Sequence, residues 1–288
     1  MLIFLAMMFS FLFVLPLAVD IATTTLQPAA TTAVEIQASM PTEITSQAPA
    51  SQPPAQPSAP PMRWGVHMTG WAAGGPKTRA AFIAKMKAAG LNTVVIALKE
   101  YDGRMFVRGV PLSVQIGSYV NAIPDLQACV KDFKDAEIYT VGRIVLFKDD
   151  LLARRRLDLA VKNPDGSLWV NDNGVAWVDP YQREVWSYNL AIASRAAAYF
   201  DEIQFDYIRF PSDGPVALAR YSRADHTPQT AAKNLTDFLT RAREVLAAFP
   251  VKISVCLFGL TTTDRSGMGI GQRMEHFVAL ADYVSPMM

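Results

Sequence analysis

Residues 200–214 read FDEIQFDYIRFPSDG. Side chains along a strand alternate between its two faces. Glu202, Gln204 and Asp206 therefore share one face of a strand over 202–209, and Ile203, Phe205 and Tyr207 share the other. The apolar face belongs against helices, and the polar face turns inward with Asp206 nearest its C-terminal end. A buried carboxylate without a partner is costly. Asp206 thus needs either a counter-ion, with Arg143 and Arg209 as candidates, or a chemical task. A structural ion pair and a catalytic carboxylate both fit the pattern.

Working outward, short apolar runs alternate with segments of helical period. Strands are predicted at 64–69, 93–99 (TVVIALK), 139–147 (YTVGRIVLF), 202–209, 252–257 and 283–287. Helices are predicted at 77–89, 125–136, 181–200, 229–249 and 272–280. Strand–helix alternation with strands apolar on both faces implies a parallel sheet. With no G-x-G-x-x-G after the first strand, the fold class is α/β, a (β/α) TIM-type barrel rather than a dinucleotide-binding sheet. Such a barrel has eight strands, whereas about six βα units are legible, so an incomplete barrel is expected. Residues 102–110, with RMFVR between Gly103 and Gly109, read as a hairpin.

The remaining chain sets the domain organisation. Residues 1–22 are almost wholly apolar, a signal peptide or a membrane anchor. Residues 23–62 are rich in Ala, Thr, Ser, Gln and Pro and include QAPASQPPAQPSAPP at 47–61. Such a composition buries too little apolar surface to offset its ordering entropy, and reads as a disordered linker. Residues 63–288 form the barrel domain. An extracytoplasmic location follows, secreted or tethered, with the membrane touched only through the N-terminal segment.

The 288 residues carry 27 Lys and Arg against 26 Asp and Glu, a net charge of +1, which gives no support to a nucleic-acid partner. Two cysteines, Cys129 and Cys256, cannot form a disulfide scaffold. Three histidines form no H-E-x-x-H motif. No metal and no cofactor are expected.

In a barrel of this type the active site lies at the C-terminal ends of the strands. Glu100 and Asp102 follow the second strand, Asp149 and Asp150 the third, Asp213 the fourth and Asp264 the fifth. Cleavage of a glycosidic bond by acid–base chemistry needs two carboxylates, about 5–5.5 Å apart for retention or 6.5–9.5 Å for inversion. Asp206 with Glu100 or Asp149 can supply the pair, and Arg143 can hold the charge. Asp213-Gly214-Pro215 reads as an ordinary turn. The long third loop, 148–180, holds Trp169, Trp177 and Asp179. Trp71 and Trp169 can each stack on a sugar ring or plug a loop onto the barrel, and Trp177 reads as a plug. Gln204, Arg209, Asp179 and His67 complete the expected substrate-binding set.

The motifs GRIVLFKDDLLA (142–153), DGSLWVNDNGVAWVDPYQREVWSYN (165–189), FDEIQFDYIRFPSDG (200–214), FGLTTTD (258–264), GIGQ (269–272) and YVSPM (283–287) stand in one order. Together they resemble the putative glycosyl hydrolase domain family across residues 63–288. The resemblance implies a TIM barrel that acts on glycans, and Arg143 and Asp206 match its pattern. Members often carry acids where this chain has Ala97 and Cys256, and continue into further strands beyond 287. The expected function is hydrolysis of a polysaccharide or cell-envelope glycan by carboxylate catalysis. The alternative is a non-catalytic glycan-binding module on a degenerate or truncated barrel.

Overall fold

The computed structural model describes residues 62–287. The expected leader and nearly all of the expected linker, 1–61, lie outside the described residues. Six strands form one sheet in chain order: β1 (Gly65–Met68), β2 (Thr93–Lys99), β3 (Tyr139–Val145), β4 (Glu202–Asp206), β5 (Lys252–Phe258) and β6 (Tyr283–Met287). Every neighbouring pair is parallel. The helices between them are α1 (Gly70–Gly74), α2 (Pro76–Ala88), α3 (Pro111–Ile116), α4 (Leu126–Asp135), α5 (Asp150–Arg155), α6 (Arg183–Ala197), α7 (Pro228–Leu246) and α8 (Met274–Val278).

Strict sequential order with helical crossovers is the winding of a barrel wall. The sheet curls far enough for Arg63, just before β1, to reach across it. Its guanidinium lies 3.5 Å from the Tyr139 ring centroid and 4.7 Å from that of Tyr283, on β3 and β6. The fold is therefore an incomplete (β/α) TIM-type barrel with a concave inner face and helices outside.

Pattern explains placement. Val94, Ile96, Leu98, Ile144, Ile203, Phe205, Ile253, Val255 and Leu257 are buried against the helices. The longest helix, α7, starts at a capping box between Thr227 and Thr230 with Pro228 in its first turn. It then buries Leu235, Phe238, Leu239, Ala242 and Leu246, the three-and-four spacing of one helical stripe. Phe238 meets Phe147, Trp186 and Phe205 edge-on, tying α7 to α6 and β4.

The expected hairpin at 102–110 does not form. Residues around the buried Met105 make isolated bridges to Lys99 and Tyr119, and the unanticipated α3 follows. Two glycines that look like hairpin brackets serve instead as positive-φ turns, Gly103 at 90° and Gly109 at 85°.

Candidate active site

The inner face of β4 carries Glu202, Gln204 and Asp206, as the alternation requires, and all three are buried. They sit at different depths. At the N-terminal end, Glu202 bonds Arg63, Tyr139 and Ser254. Gln204 lies one inward step higher and is enclosed, its amide oxygen making no hydrogen bond among the described residues. Asp206 stands at the C-terminal end.

Asp206 is held from two sides. Arg143 of β3 donates to Oδ2 from Nε at 2.9 Å and from Nη2 at 2.6 Å. The backbone N–H of Tyr207 donates to Oδ1 at 2.6 Å. The third nitrogen of the same guanidinium, Nη1, lies 3.5 Å from Oε2 of Glu100. One arginine thus spans both carboxylates. Burial works against the charged guanidinium, yet Asp206, Cys256 and Glu100 together outweigh it and hold the pKa of Arg143 above its ordinary value. His67 on β1 feels the same group. Its ring is open to solvent on one side, yet desolvation on the concave face, then the charge of Arg143, push its imidazole down to about 4 against the opposing pull of Asp206. Its ring is neutral around neutral pH.

Glu100 comes inward through an irregularity in β2. Ala97 pairs with Arg143, but Lys99, two residues on, pairs with Ile144, the very next residue of β3. This is a β-bulge, with two residues on one strand opposite one on its partner. Lys99 consequently faces the helices, where Nζ meets the Leu146 carbonyl at 3.2 Å and Asn189 Oδ1 of α6 at 3.0 Å. The next residue, Glu100, faces the site.

Asp149, the other expected partner of Asp206, does not join it. It is fully enclosed, 2.6 Å from the equally enclosed Lys99, and caps α5 by accepting from the Leu152 N–H. Asp179 is likewise buried and accepts from the backbones of Tyr181 and Ser222, so it ties loops together rather than facing substrate. Trp169 is a plug, fully buried, with its indole N–H on the Pro215 carbonyl at 3.0 Å. Trp71 is 58 % exposed, with its ring edge-on to Phe106. Cys256 faces inward beside Asp206, and burial, reinforced by Asp206, raises its thiol pKa well above the ordinary value. That excludes a ready thiolate.

Arg209, the alternative counter-ion for Asp206, takes another place. Nη1 donates to the Phe210 carbonyl at 3.2 Å and to Ser212 Oγ at 2.7 Å. The guanidinium lies against the rings of Trp177, Tyr207 and Phe258. Tyr207 itself breaks the expected alternation. Its φ is +50°, so the chain leaves β4 at Asp206 and swings the phenol toward the site rather than the helices. A non-glycine residue in this region carries strain, and such residues cluster at functional sites. Phe258 also lines a neighbouring cleft of about 900 Å³ between the loops that follow β4 and β5, with Tyr221, His226 and Arg223 in its wall.

Two features escaped the sequence reading. Lys148 sits among the Tyr101, Trp177 and Tyr207 rings, but on the page it was only the residue before two acids. The bulge in β2 has no signal in TVVIALK, an apolar run without a glycine. Among the described residues, no group of three or more His, Cys, Asp or Glu side chains is placed to hold a metal ion. Nor is any helix among them long and apolar enough to cross a membrane.

An incomplete (β/α) barrel with acids gathered at the C-terminal end of its strands defines a glycoside hydrolase-like domain. The chain belongs to the family described as a putative glycosyl hydrolase domain, which it matches over residues 65–288. Among solved structures it is similar to a hypothetical protein from Ruminiclostridium thermocellum ATCC 27405. The two share 30% identity over 66% of this chain and 95% of that one, with a TM-score of 0.58. The PgaB (BpsB) glycoside hydrolase domain from Bordetella bronchiseptica shares the fold at 14% identity, over 78% of this chain and 73% of that one, with a TM-score of 0.55. An alpha-L-fucosidase isoenzyme 2 from Paenibacillus thiaminolyticus does so at 13% identity, over 67% and 32%, with a TM-score of 0.51. A comparison with curated protein sequences finds no match.

Proposed function

We propose that the domain hydrolyses a glycosidic bond in a polysaccharide or cell-envelope glycan, with Asp206 and Glu100 as the reacting carboxyl groups. The observation that carries this is the single guanidinium of Arg143 joining both acids at the C-terminal ends of β2 and β4. Two carboxyl groups bridged in this way lie within the span of up to about 9.5 Å that glycosidases use. Asp206 is fixed by three donor N–H groups and faces the anomeric carbon as nucleophile or base. Glu100 has the more accessible carboxyl, 26% against 7% exposed, and protonates the leaving oxygen. Arg143 orients both, and neutral His67 completes the inner wall. The cleft bounded by Phe258 and Tyr221 has room for further sugar rings. Such an enzyme acts outside the cytoplasm, where the apolar leader and Pro-rich linker read in residues 1–62 would deliver it.

A second reading, a non-catalytic glycan-binding module, is favoured by one observation. Arg143 engages Asp206 Oδ2 with two nitrogens, the arrangement of a structural ion pair. The two readings separate on reducing-end release from glycans by the purified chain, compared with its Asp206→Asn variant. Release by the natural chain that the variant loses supports hydrolysis. Saturable binding without release by either supports the module.

A further inference from the structure

Lys148 and Arg209 share two aromatic rings and have no acid in contact. Lys148 Nζ lies 5.2 Å from the Tyr207 ring centroid and 6.0 Å from that of Trp177. The Arg209 guanidinium lies 4.9 Å from each of the same two centroids. Neither cation forms an ion pair among the described residues, and Lys148 Nζ makes no hydrogen bond there. Arg209 is only 5% exposed and spends one nitrogen on a carbonyl and a hydroxyl. Aromatic faces attract cations but do not replace a counter-ion.

The acid whose charge acts on both cations is Asp213, expected from sequence to be a mere turn residue. Its Oδ2 accepts from Asn171 Nδ2 at 2.6 Å, and its buried Oδ1 has no partner among the described residues. One acid therefore faces two cations. Burial and the neighbouring Arg209 lower the Lys148 pKa, while Asp213 raises it. The two acids of the proposed reaction are already engaged by Arg143, and neither forms an ion pair with Lys148 or Arg209. Two adjacent cations, half or wholly sunk among flat rings beside a cleft, are the complement of an anion carried on a ring-shaped molecule. A guanidinium and an ammonium together match a carboxylate or a sulfate.

We propose that this site takes a glycan bearing an anionic substituent, a carboxylate or a sulfate ester, seated between Lys148 and Arg209. The proposal rests on the reading that the C-terminal end of the barrel receives a glycan, and it names the class of glycan. Tyr207 and Trp177 orient the two cations, and the anion places the neighbouring linkage over Asp206 and Glu100.

Calorimetric titration of the full chain would use three oligosaccharides of equal length: an oligogalacturonate, its carboxyl-reduced neutral counterpart, and a sulfated galactan fragment. At least one anionic ligand should bind tenfold or more tighter than the neutral one, with the advantage shrinking as NaCl rises. Preference for the first or the second anionic ligand identifies carboxylate or sulfate as the source. Lys148→Met should erase most of that advantage and leave neutral binding within about twofold. Arg209→Gln should likewise erase most of the advantage. Since Arg209 is buried, Lys148→Met keeps the test decisive if that variant fails to fold. Equal affinity for charged and neutral ligands, no binding of either anionic one, or an undiminished advantage in Lys148→Met overturns the proposal. Preferential anion binding without bond cleavage leaves it standing and rejects hydrolysis. Cleavage of anionic glycans at an unchanged rate in Lys148→Met rejects it and leaves hydrolysis standing.

Discussion

Leu98 and Lys99, neighbours in the chain, face the same side of the sheet. Leu98 packs with Gly142 and Ile203 under the helices, and Lys99 reaches Asn189 on α6. Side chains that should alternate do not, because the bulge inserts one residue opposite β3. The parity of everything after it is reversed, which is how Glu100 arrives at Arg143. The bulge is in turn anchored by the enclosed Lys99–Asp149 pair. Burial pulls the Lys99 pKa below its ordinary value, and Asp149 opposes that pull.

Breaking this pair from one side should therefore be severe. Lys99→Met leaves the Asp149 carboxylate enclosed without its counter-ion, a loss of about 3–5 kcal/mol. Lys99→Met combined with Asp149→Asn removes both charges while the asparagine oxygen still caps α5, and should recover a large share. Urea unfolding of the two variants measures the difference. Equal stability of single and double variants would show that the pair is not what holds the bulge.

Asp206→Asn and Glu100→Gln should each lower glycan hydrolysis by about 10²–10⁴-fold, the usual loss when an essential acid or base is removed. Glu100→Gln should leave the melting temperature nearly unchanged, because its side chain is partly exposed and meets Arg143 only at 3.5 Å. Asp206→Asn keeps an oxygen for one Arg143 nitrogen and should remain folded. Reducing-end assays alongside thermal melts check both. Full activity in either variant removes that residue from the chemistry.

Much of this site is legible in the residues themselves. The alternation in EIQFD aims Asp206 inward, and Arg143 occupies the inward position of the neighbouring strand opposite Gln204, one inward step below, from which its side chain reaches Asp206. Local periodicity suffices there because both strands are regular. It fails where the backbone leaves its period. The bulge sends Lys99 outward into a pair with Asp149 and so removes Asp149 from the mouth of the barrel. The positive φ of Tyr207 turns a ring expected against the helices toward Lys148 and Arg209. Loop residues such as Asp179 and Trp169 have no period at all. Their burial is decided by chain segments more than forty residues away, at Ser222 and Pro215.

The backbone at Tyr207 can be tested apart from its ring. Tyr207→Asn and Tyr207→Val both delete the phenol, but asparagine tolerates the left-handed region and a β-branched residue does not. Tyr207→Val should be the less stable of the two by about 1–3 kcal/mol. It should also misplace the N–H that holds Asp206 Oδ1, and so lose more activity than Tyr207→Asn. Denaturant midpoints and initial rates on the same preparations make the comparison. Matching values for the two variants would mean that the turn after β4 relaxes freely.

Glu202 predicts a pH dependence of stability at the other end of the barrel. Burial raises its pKa above the ordinary glutamate value, against the opposing hydrogen bond from Ser254, the charge of Arg63 and the hydrogen bond from Tyr139. The folded state thus binds a proton more tightly than the unfolded chain does. Stability gained from this group is complete below the unfolded value of about 4.3, and is lost as pH rises through the higher folded value. Unfolding free energy should therefore contain a component that grows as pH is lowered from neutrality toward that range. Glu202→Gln, which cannot titrate, should lack this component while keeping an oxygen for the Ser254 hydroxyl. The measurement is denaturant unfolding across pH 4–7 for both proteins, with the difference between the two curves as the readout. A difference that stays flat over that interval would show that Glu202 is held as a carboxylate by Arg63, Tyr139 and Ser254 despite its burial.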